Sequence, residues 1–363
     1  MSRIDPFTRT PGVAGEAFID MHHADEIIEN YESDISSKRI YKIVGLRGSG
    51  KSVEYRKIIN TMSDRAGWLV YTLSATGDPV STLIAKLSKE PFIDSKKHVT
   101  TVQTSASTEA GVVVLKGKAD ITYSRTTEDN PMFYSAEATL SDMIQEVNDK
   151  GYKILVGVDD IARTDAMTNF LSILGSLLLD DKKRIYFVCT GLAQNIEDFA
   201  NEPNLTFFKR SDLIEIKALD KFEIAAMYQK LLSVGSEEAV RLSKFTCGYA
   251  YAYQVLGSLY FTKTENEDLD DLLPEFDKVL FRDSYDLIWK SLTAAEREMA
   301  KAIVNSETGK TSEIKEQMKS PSGYDSLRMR LDNKHLIDIS ERGYIKINLP
   351  RFKDYIRLWH SDE

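Results

Sequence analysis

Cysteine is nearly absent from this 363-residue chain, with Cys189 and Cys247 as the whole complement. Both sit in apolar segments without partners at metal spacing, so the expectation is buried thiols in a reducing compartment, not a disulfide framework or a zinc site. Histidine is almost as scarce. His22, His23, His98, His335 and His360 are scattered along the chain, which points to surface or packing roles and away from a metal centre. No apolar run approaches the ~20 residues of a membrane span. The start Met1-Ser2-Arg3-Ile4-Asp5-Pro6 also lacks the charged-then-apolar layout of a secretory signal. A cytoplasmic protein with no membrane partner is therefore expected. Positive charge is in deficit as well: 47 Lys and Arg face 56 Asp and Glu, a net of −9. That excludes a chain that coats nucleic acid through a uniformly basic surface. The deficit is uneven, since residues 291–363 hold thirteen basic and twelve acidic side chains, +1, which leaves −10 for everything before them. The last segment is thus a candidate for separate work.

Among what is present, one stretch decides the chemistry. Gly45-Leu46-Arg47-Gly48-Ser49-Gly50-Lys51-Ser52 follows the apolar run Ile40-Tyr41-Lys42-Ile43-Val44 directly and matches G-x-x-x-x-G-K-[ST] at every fixed position. Backbone N–H groups of such a glycine-rich turn wrap phosphates, Lys51 reaches the β and γ oxygens, and the Ser52 hydroxyl completes a magnesium shell. A nucleoside triphosphate is the expected ligand. Strand before and helix after, Val53 to Met62, are the context this loop requires.

The length predicts about two or three domains. Trp68 to Ser74 reads as a second buried strand, and Val80 to Lys89 as a helix opened by Asp78-Pro79. Between Pro91 and Ala138 the composition shifts to Thr, Ser and Val. There Gly111–Leu115 and Ala119–Tyr123 flank a Lys116-Gly117-Lys118 turn, read as an inserted hairpin that is either a tolerated surface loop or a partner-binding element. A helix from Thr139 to Lys150 leads into Lys153-Ile154-Leu155-Val156-Gly157-Val158-Asp159-Asp160. An apolar strand ending in an acid puts a carboxylate where open α/β sheets bind ligands. Asp159 is the candidate to hold magnesium opposite Ser52, and Asp160 the candidate to orient an attacking water. A helix from Ala166 to Leu179 and the strand Arg184 to Thr190 follow. Thr190 is either a γ-phosphate sensor or simply a good strand former. Asp212 to Lys217 closes a parallel five-stranded α/β sheet, with Lys209-Arg210 just before it as solvated residues or an arginine finger.

Taken together, these segments resemble the AAA+ and STAND group of P-loop ATPases, especially bacterial and archaeal ATPases related to origin-recognition proteins. Ala17-Phe18-Ile19-Asp20 and the helix around Asp25-Glu26-Ile27-Ile28 look like that group's opening motif near adenine, with Met21-His22-His23 in place of Arg-Glu-Glu. Asp159-Asp160 is similar to the STAND form of the second motif, where hydrolytic AAA+ members end in Asp-Glu. An aspartate is one methylene shorter, which favours a slow switch over a fast motor. By the same resemblance Thr190 takes the sensor position and Arg210 the finger position. A finger acts in trans, so nucleotide-dependent homo-oligomers are implied. ATP is the implied nucleotide, with Mg2+.

Lys221 to Leu232 and Glu237 to Phe245 read as helices of a lid over 219–290, after an ATPase core over 1–218 that carries the 91–138 insertion. Relatives have a Gly-apolar-Pro element touching nucleotide there; Ala250 stands at the proline position, and Tyr249, Tyr251 and Tyr253 read as packing aromatics. In 291–363, helices over Thr293–Asn305, Thr311–Met318 and Gly323–Asn333 precede strands Leu336–Ile339 and Tyr344–Ile347 around Glu341-Arg342-Gly343. That order is similar to a winged helix. A DNA-binding version would present Arg328, Arg330 or Lys334 to the major groove and Arg342 to phosphates; a protein-docking or autoinhibitory module is the equal alternative. The expected function is a nucleotide-operated switch read out through lid and winged helix. A DNA-binding loader or transposition-type regulator and a STAND-like signalling or defence protein are the alternatives.

Overall fold

A computed structural model describes residues 4–33, 37–93, 100–102, 122–127 and 130–360. Five strands form one all-parallel sheet: β1 (Ile40–Val44), β2 (Trp68–Leu73), β6 (Lys153–Val158), β7 (Ile185–Gly191) and β8 (Asp212–Glu215), in the order β2-β6-β7-β1-β8. β1, β7 and all but the first residue of β6 are buried, as a sheet covered on both faces demands. On one face pack the helices Pro79–Leu87, Ala136–Asp149 and Asp165–Leu178. On the other lie His23–Glu32 and Lys51–Ser63.

Local chemistry sets the helix starts. Asp78 accepts from Val80 N and Ser81 N with Pro79 in the first turn, and Thr164 accepts from Met167 N, each satisfying a donor that the helix itself leaves open. Gly157 lets the helix after the glycine-rich loop close on the sheet. A Cβ there would stand 2.6 Å from the Tyr55 hydroxyl and 2.7 Å from Ile59 Cδ1.

Three short strands, β3 (Thr100–Val102), β4 (Thr122–Thr127) and β5 (Asn130–Ser135), pair antiparallel between the second and third sheet strands. The hairpin expected at Gly111–Leu115 and Ala119–Tyr123 lies outside the described residues, except for Thr122 and Tyr123, which open β4.

The rest of the chain is helical: Lys221–Leu232, Ser236–Phe245, Ala250–Thr262, then Leu269–Leu280 running through a π-turn at Phe281–Tyr285 into Asp286–Ser291. Helices Ala294–Asn305, Thr311–Gln317 and Tyr324–Asn333 follow, then the antiparallel pair β9 (Ile337–Asp338) and β10 (Lys346–Ile347) and a last helix, Phe352–Trp359. These residues share one hydrophobic core with Phe7, Ala17 and Ile19 of the N-terminal segment. The shared core joins what length alone suggests are separate parts: Tyr285 packs edge-on against Phe352 at 4.9 Å, and Arg351 forms a two-pronged pair with Asp277 at 2.8 and 2.5 Å. Among the described residues, no helix is long and apolar enough to cross a membrane.

Candidate nucleotide site

The parallel register brings the predicted residues to one edge of the sheet. Val44 pairs with Gly191 and Ile43 with Thr190, while Val158 pairs with Cys189. Gly45, Asp159 and Thr190 therefore emerge side by side at the carboxyl ends of β1, β6 and β7. The neighbours of β1 come from distant parts of the chain, which is where open α/β sheets form their crevice.

The loop between β1 and the next helix is held by a Ser49 N to Leu46 O turn bond of 3.1 Å. Gly48 and Gly50 adopt φ of 76° and 105°, a region that side chains rarely enter. The helix begins at Lys51, so the first-turn N–H groups and the positive end of the helix dipole face the loop, a ready site for an anion. Lys51 is buried, and its ammonium donates to Gly45 O at 3.0 Å and Leu46 O at 2.9 Å. Burial pushes its pKa down to about 8; Arg47 adds to that, while Asp160 and Asp159 oppose it.

Ser52 Oγ donates to Asp159 Oδ1 at 3.1 Å, and Thr190 Oγ1 donates to the same oxygen at 2.6 Å. Thr190 also accepts Asp160 N at 2.8 Å, and Ile161 N bonds to Thr190 O at 2.7 Å. One fully buried hydroxyl thus fixes the Asp159 carboxylate and the backbone of Asp160. Asp160 is exposed with φ 54°, a conformation that Asp tolerates better than most residues. Arg210 does not join this group. It ends the helix Thr206–Arg210 ahead of β8, so it is exposed at the opposite edge of the sheet, a strand length of roughly 10 Å or more from the loop.

The start of the helix Ala250–Thr262 holds the loop from outside. Tyr249 OH donates to Arg47 O at 2.6 Å and lies 2.6 Å from Ser284 Oγ in the π-turn. Tyr251 N donates to Gly48 O at 3.1 Å, and Tyr251 OH to Asp283 Oδ2 at 2.9 Å. Reading these tyrosines as packing aromatics missed their hydroxyls. The available signal was a Tyr-x-Tyr at a helix start, where core packing alone has no use for an O–H.

Two cavities flank the loop. One of about 210 Å³ runs between Leu46, Ser49, Ile216–Ala218, Cys247–Ala250 and the C-terminal residues His335, Asn348 and Leu349. The other, about 150 Å³, runs between Gly45–Arg47, Leu192–Asn195 and Asn333, Lys334 and Leu336. His335 Nε2 stands 3.1 Å from Glu215 Oε1 at the end of β8. Nothing in the sequence pointed to these C-terminal residues beside the loop.

In the opening motif, Met21 packs against Gly50. Glu54, fully buried on the helix after the loop, accepts Ala24 N at 2.8 Å and so caps the helix His23–Glu32. Burial raises the Glu54 pKa, partly offset by that bond. Asp20, His22 and Asp25 cluster nearby, but Lys57 already pairs with both carboxylates at 2.6 and 2.7 Å. Lys334, expected to face a partner, is instead bound to Glu296 at 2.9 and 2.8 Å.

Fold and site together describe a parallel α/β sheet with a phosphate-loop motif at its carboxyl edge, and the fold resembles that of an archaeal origin-recognition protein. The chain is similar to ORC2 of Aeropyrum pernix in its ADPNP–ADP complexes, with a TM-score of 0.56 and 12% identity over 98% of this chain and 95% of that one. Cdc6p of Pyrobaculum aerophilum aligns with a TM-score of 0.42 and 12% identity over 94% and 95%. A STAND protein with a tetratricopeptide repeat sensor from Pyrococcus horikoshii aligns at 0.39 and 15%, over 98% of this chain and 44% of that one. Residues 282–356 match a family model described as a domain of unknown function, DUF8462. No curated protein matches the sequence.

Proposed function

We propose that this chain is an ATP-binding switch with slow ATPase activity, whose lid and C-terminal winged helix read the state of the nucleotide. The proposed division is a core over 1–218, a lid over 219–290 and a winged helix over 291–363. The observation that carries the reading is that both later parts meet the same loop. The lid bonds the carbonyls of Arg47 and Gly48, and residues 333–336 and 348–349 line the two cavities on either side of it. Any change in loop conformation on phosphate binding therefore acts on both.

The donor set fits magnesium: Ser52 hydroxyl and Asp159 carboxylate are hard oxygen ligands 3.1 Å apart at the mouth of the loop. When bound there, the ion supplies positive charge to the phosphate oxygens. Lys51 contacts the phosphates, Thr190 orients Asp159, and Asp160 orients the water. Arg210, exposed at the far sheet edge, is available only to a neighbouring copy. Slow turnover follows from the short Asp160 side chain, which reaches less far than a glutamate toward a water. A second reading, binding of duplex DNA or a protein through the winged helix, is favoured by Arg330 and Arg342, both exposed on its third helix and its turn.

Sizing the protein with and without ATP, and with and without duplex DNA, tests both. A nucleotide-dependent change that Lys51→Ala abolishes supports the switch. Unchanged nucleotide binding in that variant sinks the site assignment, and salt-sensitive DNA binding lost in Arg328→Ala/Arg330→Ala moves the balance to the second reading.

A further inference from the structure

The contacts between lid and loop fall on backbone carbonyls, and that choice of atom has a geometric effect. In a trans peptide the C=O of one residue and the N–H of the next point in opposite directions. The peptide joining Arg47 to Gly48 is held by the Tyr249 hydroxyl through Arg47 O at 2.6 Å, so the Gly48 N–H is turned to the side away from Tyr249. The next peptide is held through Gly48 O by Tyr251 N at 3.1 Å, with its own N–H in the turn bond from Ser49 to Leu46 O. Two consecutive planes of the glycine-rich loop are thus fixed from the lid.

The direction of the hydroxyl chain is determined. A tyrosine hydroxyl has one hydrogen, and Tyr249 gives it to Arg47 O, which has none to offer. Ser284 Oγ, 2.6 Å away, must then donate to Tyr249. Burial pushes the Tyr249 pKa far up, so the hydroxyl remains a donor. Gly48 fits this arrangement alone: it lies at φ 76°, and a Cβ there would run into the Tyr249 hydroxyl and stand 2.9 Å from Tyr251 Cβ.

We propose that Tyr249 is a positioning residue for phosphate recognition, presetting the Gly48 peptide so that its N–H serves the anion, with Ser284 of the π-turn fixing the hydroxyl. The proposal rests on the nucleotide-site reading above. It makes phosphate affinity depend on a docked lid, independently of Ala250, which stands where a nucleotide-touching proline was expected.

The test compares ADP affinity by calorimetry in the full chain and in Tyr249→Phe, Tyr228→Phe and Lys51→Ala. Tyr228 supplies the control, because its hydroxyl also donates to a buried carbonyl, Tyr253 O at 2.8 Å, away from the loop. Tyr249→Phe is expected to weaken ADP about 3- to 10-fold, the range of one neutral hydrogen bond, while Tyr228→Phe stays at the wild-type value. Pyrophosphate, competing with ADP, should lose the same factor in Tyr249→Phe. Wild-type affinity in Tyr249→Phe, or equal losses in both tyrosine variants, overturns the proposal. Unchanged ADP binding in Lys51→Ala overturns instead the site on which it rests.

Discussion

Lys51 gives the site a pH signature. Burial holds its pKa at about 8 in the nucleotide-free chain, where the ammonium donates only to Gly45 O and Leu46 O. Phosphate oxygens beside it favour the charged form, so binding raises the value and takes up a proton wherever free Lys51 is neutral. The nucleotide's own second phosphate ionisation lies near 6, leaving the range from pH 7.5 to 9.5 to the lysine. Across that range the protonated fraction of a group titrating near 8 falls from about three quarters to a few per cent, so ADP affinity should drop roughly 20-fold, ~2 kcal/mol. Calorimetry at pH 8.5 in two buffers of different ionisation enthalpy should report uptake of somewhat under one proton per ADP. Lys51→Arg, which stays charged throughout, should bind with no pH slope, whatever its affinity. The sign for folding is opposite. The unfolded chain keeps this proton to about 10.5 and the folded chain only to about 8, so the nucleotide-free protein gains stability as pH rises between them. Affinity constant from pH 7.5 to 9.5, with no proton uptake, would refute the placing of a buried, phosphate-facing ammonium in this loop.

Thr190→Val removes the hydroxyl that donates to Asp159 Oδ1 and accepts Asp160 N; ATP turnover should fall at least ~10-fold while ADP affinity changes less than ~3-fold, with a stability loss of about 1–3 kcal/mol. Unaltered single-turnover kinetics would remove Thr190 from the site. In the C-terminal part, burial works against the Glu296 charge, yet bonds from Lys334 and Thr293 N hold its pKa below the ordinary value. That stability is present above about 4.5 and lost as pH falls through the folded value. Lys334→Ala leaves a buried carboxylate uncompensated and should cost ~3–5 kcal/mol in urea unfolding, whereas the double change Lys334→Met/Glu296→Met should come close to neutral. Gly157→Ala drives a methyl against Tyr55 and Ile59 and should lower stability by about 1–3 kcal/mol; a thermal midpoint at the wild-type value would mean that helix and sheet are less closely packed than described.

The sheet was legible in the sequence because its central strands are short, largely apolar runs separated by helical spacing, and the glycine-rich loop marked the strand whose carboxyl end opens the site. The helices at Lys221–Leu232 and Ala294–Asn305 were equally readable from Asp220 and from the Thr293–Glu296 capping box, whose residues carry their reason in their own side chains. What escaped was anything carried by the backbone of a distant partner. Tyr249 looks like a core aromatic because its ring is one; its role lies in a carbonyl of Arg47, two hundred residues earlier, and no periodicity encodes that. His335 and Asn348 belong to a segment that reads as an independent module, yet one hydrophobic core runs from Phe7 through the helices after the sheet to Ile356 and brings them beside Leu46 and Ser49. Lys334 errs in the other direction. Its position at the end of the third helix suggests a free cation for a partner, while the buried Glu296, part of the Thr293 capping box, claims it. A pattern reader sees a charge and assigns it outward; a carboxylate already buried at a helix start needs a counter-charge, and the nearest lysine is the one that lowers its cost. The same logic runs through the site. Asp159 is positioned by Thr190 and Ser52, the loop by Tyr249 and Tyr251, and each of these is fixed by a group that lies far off in sequence and within 3.1 Å in space. The helix that opens at Ala250 and the C-terminal residues around His335 and Asn348 thus meet at one short loop of backbone, whose shape depends on side chains about two hundred residues away.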